Sequence, residues 1–133
     1  MATNFFLSNY AAQLEGTALN VASCFGGATL TVYNGTQPAN ANTALSGQTA
    51  LAIFTLPAAG SNTVANNTVT FGTIGSVSAV ASGTATWFRV TNGANVIFDG
   101  AVGTSGSDLN INSVVIASGA TVSISSFIYT INE

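Results

Sequence analysis

Apolar and polar residues alternate with a period of two over most of the chain after residue 27. The segment 28–33 (ATLTVY) alternates most clearly, and Asn34-Gly35 then provides a turn. Similar short runs, separated by loops rich in Gly, Ser, Asn and Thr, predict further strands at 49–56, 67–71, 76–81, 83–90, 94–102, 109–116 and 121–131. Eight such strands indicate a mainly β fold, an antiparallel β-sandwich or jelly-roll-like domain.

The segment before these strands has a helical period instead. Leu7, Tyr10 and Leu14 begin a series of apolar residues spaced by three and four positions, which predicts one N-terminal α-helix over residues 7–24. Gly26-Gly27 would end it. The apolar stripe needs a surface to cover it, either the sheet or a neighbouring subunit. We therefore expect Leu7, Tyr10 and Leu14 to be structural or interface residues.

The Asn92-Gly93 pair predicts the most specific local structure, because Asn-Gly accepts the positive φ angles of a two-residue hairpin turn. Trp87, Arg89 and Phe98 would then share one face of the hairpin, and Phe88 and Val90 the other. Large apolar groups on both faces indicate a central hairpin that is covered on both sides. The expected register sets Thr91 opposite Ala94, Arg89 opposite Val96, Phe88 opposite Ile97 and Trp87 opposite Phe98.

The last predicted strand changes phase in its middle. Val122 and Ile124 alternate on one face, whereas Phe127 and Tyr129 take the opposite phase. One extra residue in a strand reverses the side on which later side chains lie. The phase change therefore predicts a β-bulge at Ser125-Ser126.

Length and composition favour one folded domain. The chain has 133 residues, of which 47% are hydrophobic, enough for a single core. We assign 1–27 to an N-terminal arm and helix and 28–133 to the β-sandwich. No apolar run approaches the roughly 18 residues of a membrane helix. The first residues lack the basic and apolar regions of a signal peptide.

Charge is scarce, and this limits the possible partners. Charged residues make up 4% of the chain, with one Arg, no Lys and a net charge of −3. Such a chain lacks the basic surface that nucleic-acid binding requires. Soluble monomers usually protect strand edges and surfaces with charges. We therefore expect much of the surface to be covered, by copies of the chain or by a larger array.

Few residues are available for catalysis or metal binding. With no His and only Cys24, a zinc site and a Ser-His-Asp triad are excluded. Asp99 and Asp108 could supply the two carboxylates of a glycosidase. Asp99-Gly100 and Ser107-Asp108 are more typical of turns, and this is the interpretation we adopt. The chain is thus predicted to have neither enzymatic activity nor a cofactor.

Arg89 is the most informative single residue. It alternates with Trp87 on a strand that is expected to be central, so its guanidinium needs a partner. The candidates are Asp108 and Glu15, and an aromatic face is a further possibility. A clamp between sheets or subunits is the favoured role, with ligand binding as the alternative. Trp87 and Phe98 are assigned to the core or an interface rather than to a sugar platform.

Five segments of the chain carry a recognisable pattern of motifs. They are 30–38 (LTVYNGTQP), 45–51 (LSGQTAL), 81–90 (ASGTATWFRV), 99–110 (DGAVGTSGSDLN) and 119–124 (GATVSI). These segments resemble a widespread family of small proteins encoded in the structural-gene regions of tailed bacteriophages and prophages. The similarity runs from about residue 10 to residue 130, and the GTQP and GTATWFR motifs are its most specific parts.

The resemblance implies a component of the virion, most simply a capsid decoration (cement) protein on the head surface, assembled in the bacterial cytoplasm. Its partners would be the major capsid protein and copies of itself, as a dimer or a trimer. No catalytic residues accompany the motifs, and Arg89 matches an Arg of the family. The alternative is a tail or fibre component that binds a host glycan through Trp87 and the tyrosines.

Overall fold

The computed structural model describes residues 6–7, 27–56, 63–65, 68–70, 74–93 and 95–130. These residues form β-strands, turns and loops without a helix, so the prediction of a mainly β fold is confirmed. Leu7 belongs to a two-residue strand, which corrects the predicted helix start: the backbone of Leu7 pairs with another strand. The rest of the predicted helix lies outside the described residues.

Thirteen strands are found within the described residues. Most predicted strands appear at their expected positions, several of them divided in two. Their bounds are β1 Phe6–Leu7, β2 Thr29–Tyr33, β3 Ala50–Thr55, β4 Thr63–Ala65, β5 Thr68–Thr70, β6 Val77–Ser78, β7 Gly83–Thr84, β8 Trp87–Asn92, β9 Asn95–Gly103, β10 Leu109–Ile111, β11 Val115–Ile116, β12 Thr121–Val122 and β13 Ile124–Thr130.

The divisions occur where the chain changes its pairing partner. The predicted strand 83–90 pairs first with β11 and then with β2. Between these pairings the Ala85 N–H donates to the Val114 carbonyl, and the Thr86 N–H donates to the Tyr33 carbonyl. The predicted strand 109–116 divides in the same way, first pairing with β13 and then with β7.

Nine strands form one curled sheet, and four short strands form two ribbons. The sheet order is β3-β2-β8-β9-β10-β13-β5-β4, with β1 also paired to β9. The ribbons are β11-β7 and β12-β6. The sheet is mixed rather than wholly antiparallel, because β10 runs parallel to β9. Only residues 104–108 join these two strands, and the Asp108 carboxylate holds the link by accepting from the Ala101 N–H at 3.0 Å.

The central hairpin β8-β9 has a different register from the one predicted. Asn92 pairs with Asn95, so the turn begins at Gly93 (φ 62°) rather than at Asn92. The register then shifts between Val90 and Thr91, because Ile97 is an extra residue in β9. As a result, Phe98 lies opposite Val90, and the prediction that it shares a face with Trp87 is wrong.

The core lies on one face of the sheet. Leu30, Phe54, Val90 and Phe98 form one fully buried row across four neighbouring strands. A single apolar cluster joins this row to buried ribbon residues such as Ile116, so the ribbons cover part of this face. Phe88, Phe98 and Phe127 pack in this cluster with ring centroids 5.5–6.0 Å apart.

The predicted bulge in the last strand is confirmed. Along the β10-β13 pair, Asn110 lies opposite Ser126, but the next residue, Ile111, lies opposite Ile124. Ser125 is therefore the extra residue, and its hydroxyl donates to the Asn110 carbonyl at 3.1 Å. Since one extra residue reverses the pleat, the phase change in the sequence was a true structural signal.

Candidate functional site

The face of the sheet opposite the core carries a buried ion pair at its centre. Arg89 of β8 and Asp99 of β9 are directly opposite each other. The Arg89 Nε donates to Asp99 Oδ1 at 2.7 Å, and Nη2 donates to Oδ2 at 2.9 Å. The exposed fraction is 6% for Arg89 and 0% for Asp99. This two-bond geometry is the strongest form of an arginine–carboxylate contact.

These contacts correct two predictions. The partner of Arg89 is Asp99, not Asp108, and Glu15 lies outside the described residues. Asp99 is a buried strand residue, not a turn residue. The reason is the hairpin register, which sets Asp99 rather than Val96 across from the guanidinium. The predicted strand 94–102 already contained Asp99, so the strand pattern was a better guide than the Asp-Gly dipeptide.

Burial is the largest influence on the pKa of both Asp99, which is fully buried, and Asp108, which is half-buried. Loss of hydration raises the pKa of Asp99, and the hydrogen bonds and positive charge of Arg89 act in the opposite direction. Burial also raises the pKa of Asp108, against the stabilising effect of the Ala101 N–H. Each carboxylate accepts a hydrogen bond within the protein, Asp99 from Arg89 and Asp108 from the Ala101 N–H.

Arg89 also connects the sheet to residues 34–49, which we call the 34–49 loop. Its Nη2 donates to the Thr43 carbonyl at 2.8 Å. The ends of the loop meet, since the Asn34 N–H donates to the Thr49 carbonyl and Asn34 Oδ1 accepts from the Thr49 N–H at 2.7 Å. Within the loop, Gln48 Nε2 donates to the Thr36 carbonyl at 2.6 Å. The loop is therefore an ordered Ω-type loop that covers the ion pair.

Trp87 anchors the start of this loop. Its side chain is fully buried, stacks on Tyr33 with ring centroids 4.7 Å apart, and donates from Nε1 to the Asn34 carbonyl at 3.1 Å. The Arg89 guanidinium carbon lies 5.4 Å from the Trp87 ring centroid, so an aromatic face, one of the possible partners considered for Arg89, does lie beside it. Trp87 thus packs within the protein and offers no exposed face for a sugar.

The remaining candidate residues either lie away from the Arg89–Asp99 ion pair or fall outside the described residues. Phe98 is buried in the core on the opposite face of the sheet. Leu7 pairs with Phe98 through the backbone of β1, beside the pair of Phe6 with Asp99. Tyr10, Leu14 and Cys24 lie outside the described residues. Sequence reasoning also missed the 34–49 loop as part of the site, since its polar composition indicated only a connection.

The arrangement can hold protein segments together, and its chemistry is that of a neutralised ion pair. Across the described ranges, no three His, Cys, Asp or Glu residues are grouped as metal ligands would be. No helix in the described part of the chain is long and apolar enough to span a membrane. Compared with protein-family models, curated proteins and solved structures, the chain matches none.

Proposed function

We propose that the protein is a structural component of a bacteriophage virion, most specifically a capsid decoration protein that binds the head shell and stabilises it. The observation that carries this proposal is the burial of Arg89 in an ion pair. The single basic residue of the chain is buried and bound to Asp99, so it holds the fold together and offers no charge to a ligand. The sequence resemblance to phage structural-region proteins points in the same direction.

The surface chemistry supports a role in protein–protein contact. Among the described residues, the exposed large apolar side chains are Leu45, Ile53, Val80 and Val115. Few charges surround them, because the chain carries only four acids and one Arg. A surface of this kind is protected from aggregation when neighbouring subunits cover it. Its partners in this proposal are the major capsid protein and further copies of itself, as a dimer or a trimer, on the head surface.

The burial of Trp87 favours the decoration role over the alternative, a tail or fibre component that binds a host glycan. Sugar-binding sites need exposed aromatic faces, and Trp87 is enclosed by Tyr33, Arg89 and the 34–49 loop. The proposal retains a two-layer sandwich or jelly-roll arrangement, with the ribbons as part of the second layer. It also retains an N-terminal helix that starts after Leu7 and covers an interface with its apolar stripe.

The decisive experiment is quantitative mass spectrometry on purified virions that carry the protein, separated into head and tail fractions. A decoration protein is expected in hundreds of copies per head, in a simple ratio to the major capsid protein. A few to some tens of copies in the tail fraction would support the tail or fibre role. Absence from both fractions would reject a virion role altogether.

A second experiment tests stabilisation directly. Heads that lack the protein are expected to lose their DNA at a lower temperature than complete heads, and addition of the purified chain should restore the difference. The Thr36→Ser variant is the control, because Thr36 is exposed in the 34–49 loop, and it should restore the temperature of DNA loss as the wild-type chain does. Restoration by an unrelated small β protein would show that the effect is not specific.

A further inference from the structure

The dipeptide Asn-Gly occurs twice in the chain, at Asn34-Gly35 and at Asn92-Gly93. Asparagine is chemically labile. In this dipeptide it can react without an enzyme, because the backbone nitrogen of the glycine can attack the amide carbon of the asparagine side chain. Glycine favours the attack, since it has no Cβ to obstruct its nitrogen and its backbone is flexible. The reacting residues are the same in both pairs, so the fold decides which pair reacts.

Hydrogen bonds hold the Asn34-Gly35 pair at every group that would have to move. Asn34 Oδ1 accepts from the Thr49 N–H at 2.7 Å, and the Asn34 N–H donates to the Thr49 carbonyl at 3.2 Å. The Asn34 carbonyl accepts from Trp87 Nε1 at 3.1 Å. The Gly35 carbonyl accepts from the Thr86 hydroxyl at 2.6 Å. Attack by the Gly35 nitrogen would turn the side chain and both peptide groups, and it would therefore break several of these bonds.

The Asn92-Gly93 pair lies at the tip of the β8-β9 hairpin. Asn92 forms the last pair of the ladder, with Asn95, and Gly93 follows it in the turn with φ 62°. Asn92 is partly exposed and Gly93 is exposed, so water reaches both. A Cβ on Gly93 would meet nothing within 4 Å. The turn can therefore change conformation without displacing packed neighbours, and the end of a hairpin opens at a low cost in free energy.

The Asp99-Gly100 pair could form the same ring from a carboxyl group, but its surroundings oppose the reaction. Asp99 is fully buried and bound to Arg89 by two hydrogen bonds. Its strand is paired on both sides at this point, with β8 and with β1. The Phe88 ring leaves no room at Gly100 for movement toward it, since a Cβ there would lie 2.6 Å away. Of the three pairs, the hairpin tip is the one that the fold leaves reactive.

We propose that Asn92 is a site of spontaneous deamidation in the folded protein, and that the fold protects Asn34. The Gly93 nitrogen forms a bond to Cγ of Asn92, and the bond from Cγ to Nδ2 breaks. Ammonia leaves with the proton from the Gly93 nitrogen, and a succinimide ring remains. Water then opens the ring. Its attack at Cγ yields aspartate, and its attack at the main-chain carbonyl carbon yields isoaspartate, in which the chain continues through the former side chain.

Either product changes the tip of the central hairpin. Each adds one negative charge to a chain that has four acids and one Arg. Isoaspartate also inserts a methylene group into the main chain between β8 and β9, next to the pair of Asn92 with Asn95. Its exposed carboxylate belongs to the class of substrate that isoaspartyl methyltransferases accept. This inference goes beyond the proposed function and concerns the purified chain itself, whatever particle contains it.

Peptide mapping by mass spectrometry, after incubation of the purified chain at pH 8.5, tests the inference. Cleavage after aromatic residues places Asn34 and Asn92 on different peptides, and fragmentation assigns the mass increase of deamidation to one residue. In the folded protein, Asn92 should deamidate at least tenfold faster than Asn34. In urea sufficient to unfold the chain, the two rates should agree within threefold, because the bonds that hold Asn34 are then absent.

Gly93→Ala is the matched variant, because its methyl group obstructs the attacking nitrogen but meets no other atom. It should slow the deamidation of Asn92 at least fivefold and leave Asn34 unchanged. The variant is compared with the wild type in urea as well, so the result does not depend on whether alanine tolerates the positive φ of the turn.

Three results would overturn the inference. The first is a folded wild-type protein in which Asn34 reacts as fast as Asn92. The second is an Asn92 amide that stays intact in the folded chain while it reacts in the unfolded chain. The third is a tenfold preference for Asn92 that persists in urea, because the local sequence rather than the fold would then protect Asn34.

Discussion

Replacing Arg89 with methionine would leave the Asp99 carboxylate buried without its cation. Both oxygens of Asp99 would lose a donor, at distances of 2.7 and 2.9 Å in the wild type, and the Thr43 carbonyl would lose another. Removing one member of a buried ion pair costs about 3–5 kcal/mol. A domain of this length has a total unfolding free energy of roughly 7–20 kcal/mol, so the loss is a large share of it.

The double variant Arg89→Met/Asp99→Leu separates the ion pair from simple loss of packing. Replacing both charges by apolar groups of similar size is often close to neutral. We expect the double variant to be more stable than Arg89→Met alone by at least about 2 kcal/mol. The measurement is urea unfolding at pH 7, followed by circular dichroism, for the wild type and for each single and double variant.

Additive effects of the two single substitutions would refute this reasoning, since they would mean that Arg89 and Asp99 do not depend on each other. A cost below about 1 kcal/mol for Arg89→Met would refute it as well, because that is the range of an exposed pair. A repeat at pH 4.5 adds an internal check. The penalty of Arg89→Met should shrink there, as the unpaired carboxyl can be neutralised by a proton.

Three further predictions concern packing, hydrogen bonding and pH. Gly100→Ala should destabilise the fold by about 1–3 kcal/mol in urea unfolding, because the new Cβ would lie 2.6 Å from the Phe88 ring. Gly75→Ala is the control and should have little effect in the same assay, because the space around Gly75 is open. Trp87→Phe should cost about 1–3 kcal/mol in thermal or urea unfolding, since it leaves the Asn34 carbonyl without its donor; an unchanged midpoint would contradict this. The raised pKa values of Asp99 and Asp108 mean that the folded state binds protons more tightly than the unfolded state. The free energy of unfolding should therefore be highest below the ordinary pKa of 3.8, and it should fall as the pH rises from there through the raised pKa values. Asp108→Asn should flatten this slope in urea unfolding between pH 3.5 and pH 7, and a free energy that rises with pH would show the sign to be wrong.

The positions of the strands could be predicted because alternation reports local burial on a pleated strand. The segment 28–33 and the bulge at Ser125 are examples, since the polar and apolar phases there follow the two faces directly. The strand divisions could not be predicted in this way. At Ala85 and Thr86 the alternation continues while the chain changes partner, and pairing partners are distant in sequence.

The ion pair was only half predictable, because it depends on register. Arg89 required a partner by its burial, but the identity of the partner follows from where the hairpin turns and from the extra residue Ile97. Each of these shifts the partner by one or two positions, and together they move it from Val96 to Asp99. The coverage of Arg89 by Thr43 depends on loop folding over 46 residues of separation, which no local pattern encodes.

The burial of the single basic residue also determines how the chain meets proteases. Trypsin cleaves after Lys or Arg, and this chain offers it one bond, between Arg89 and Val90. That bond lies in β8, which is paired on one side with β2 and on the other with β9. Cleavage therefore requires that the centre of the sheet open, and its rate follows the population of that open state. We therefore expect the folded chain to resist trypsin-like enzymes, and a single cut after Arg89 would report the opening of β8.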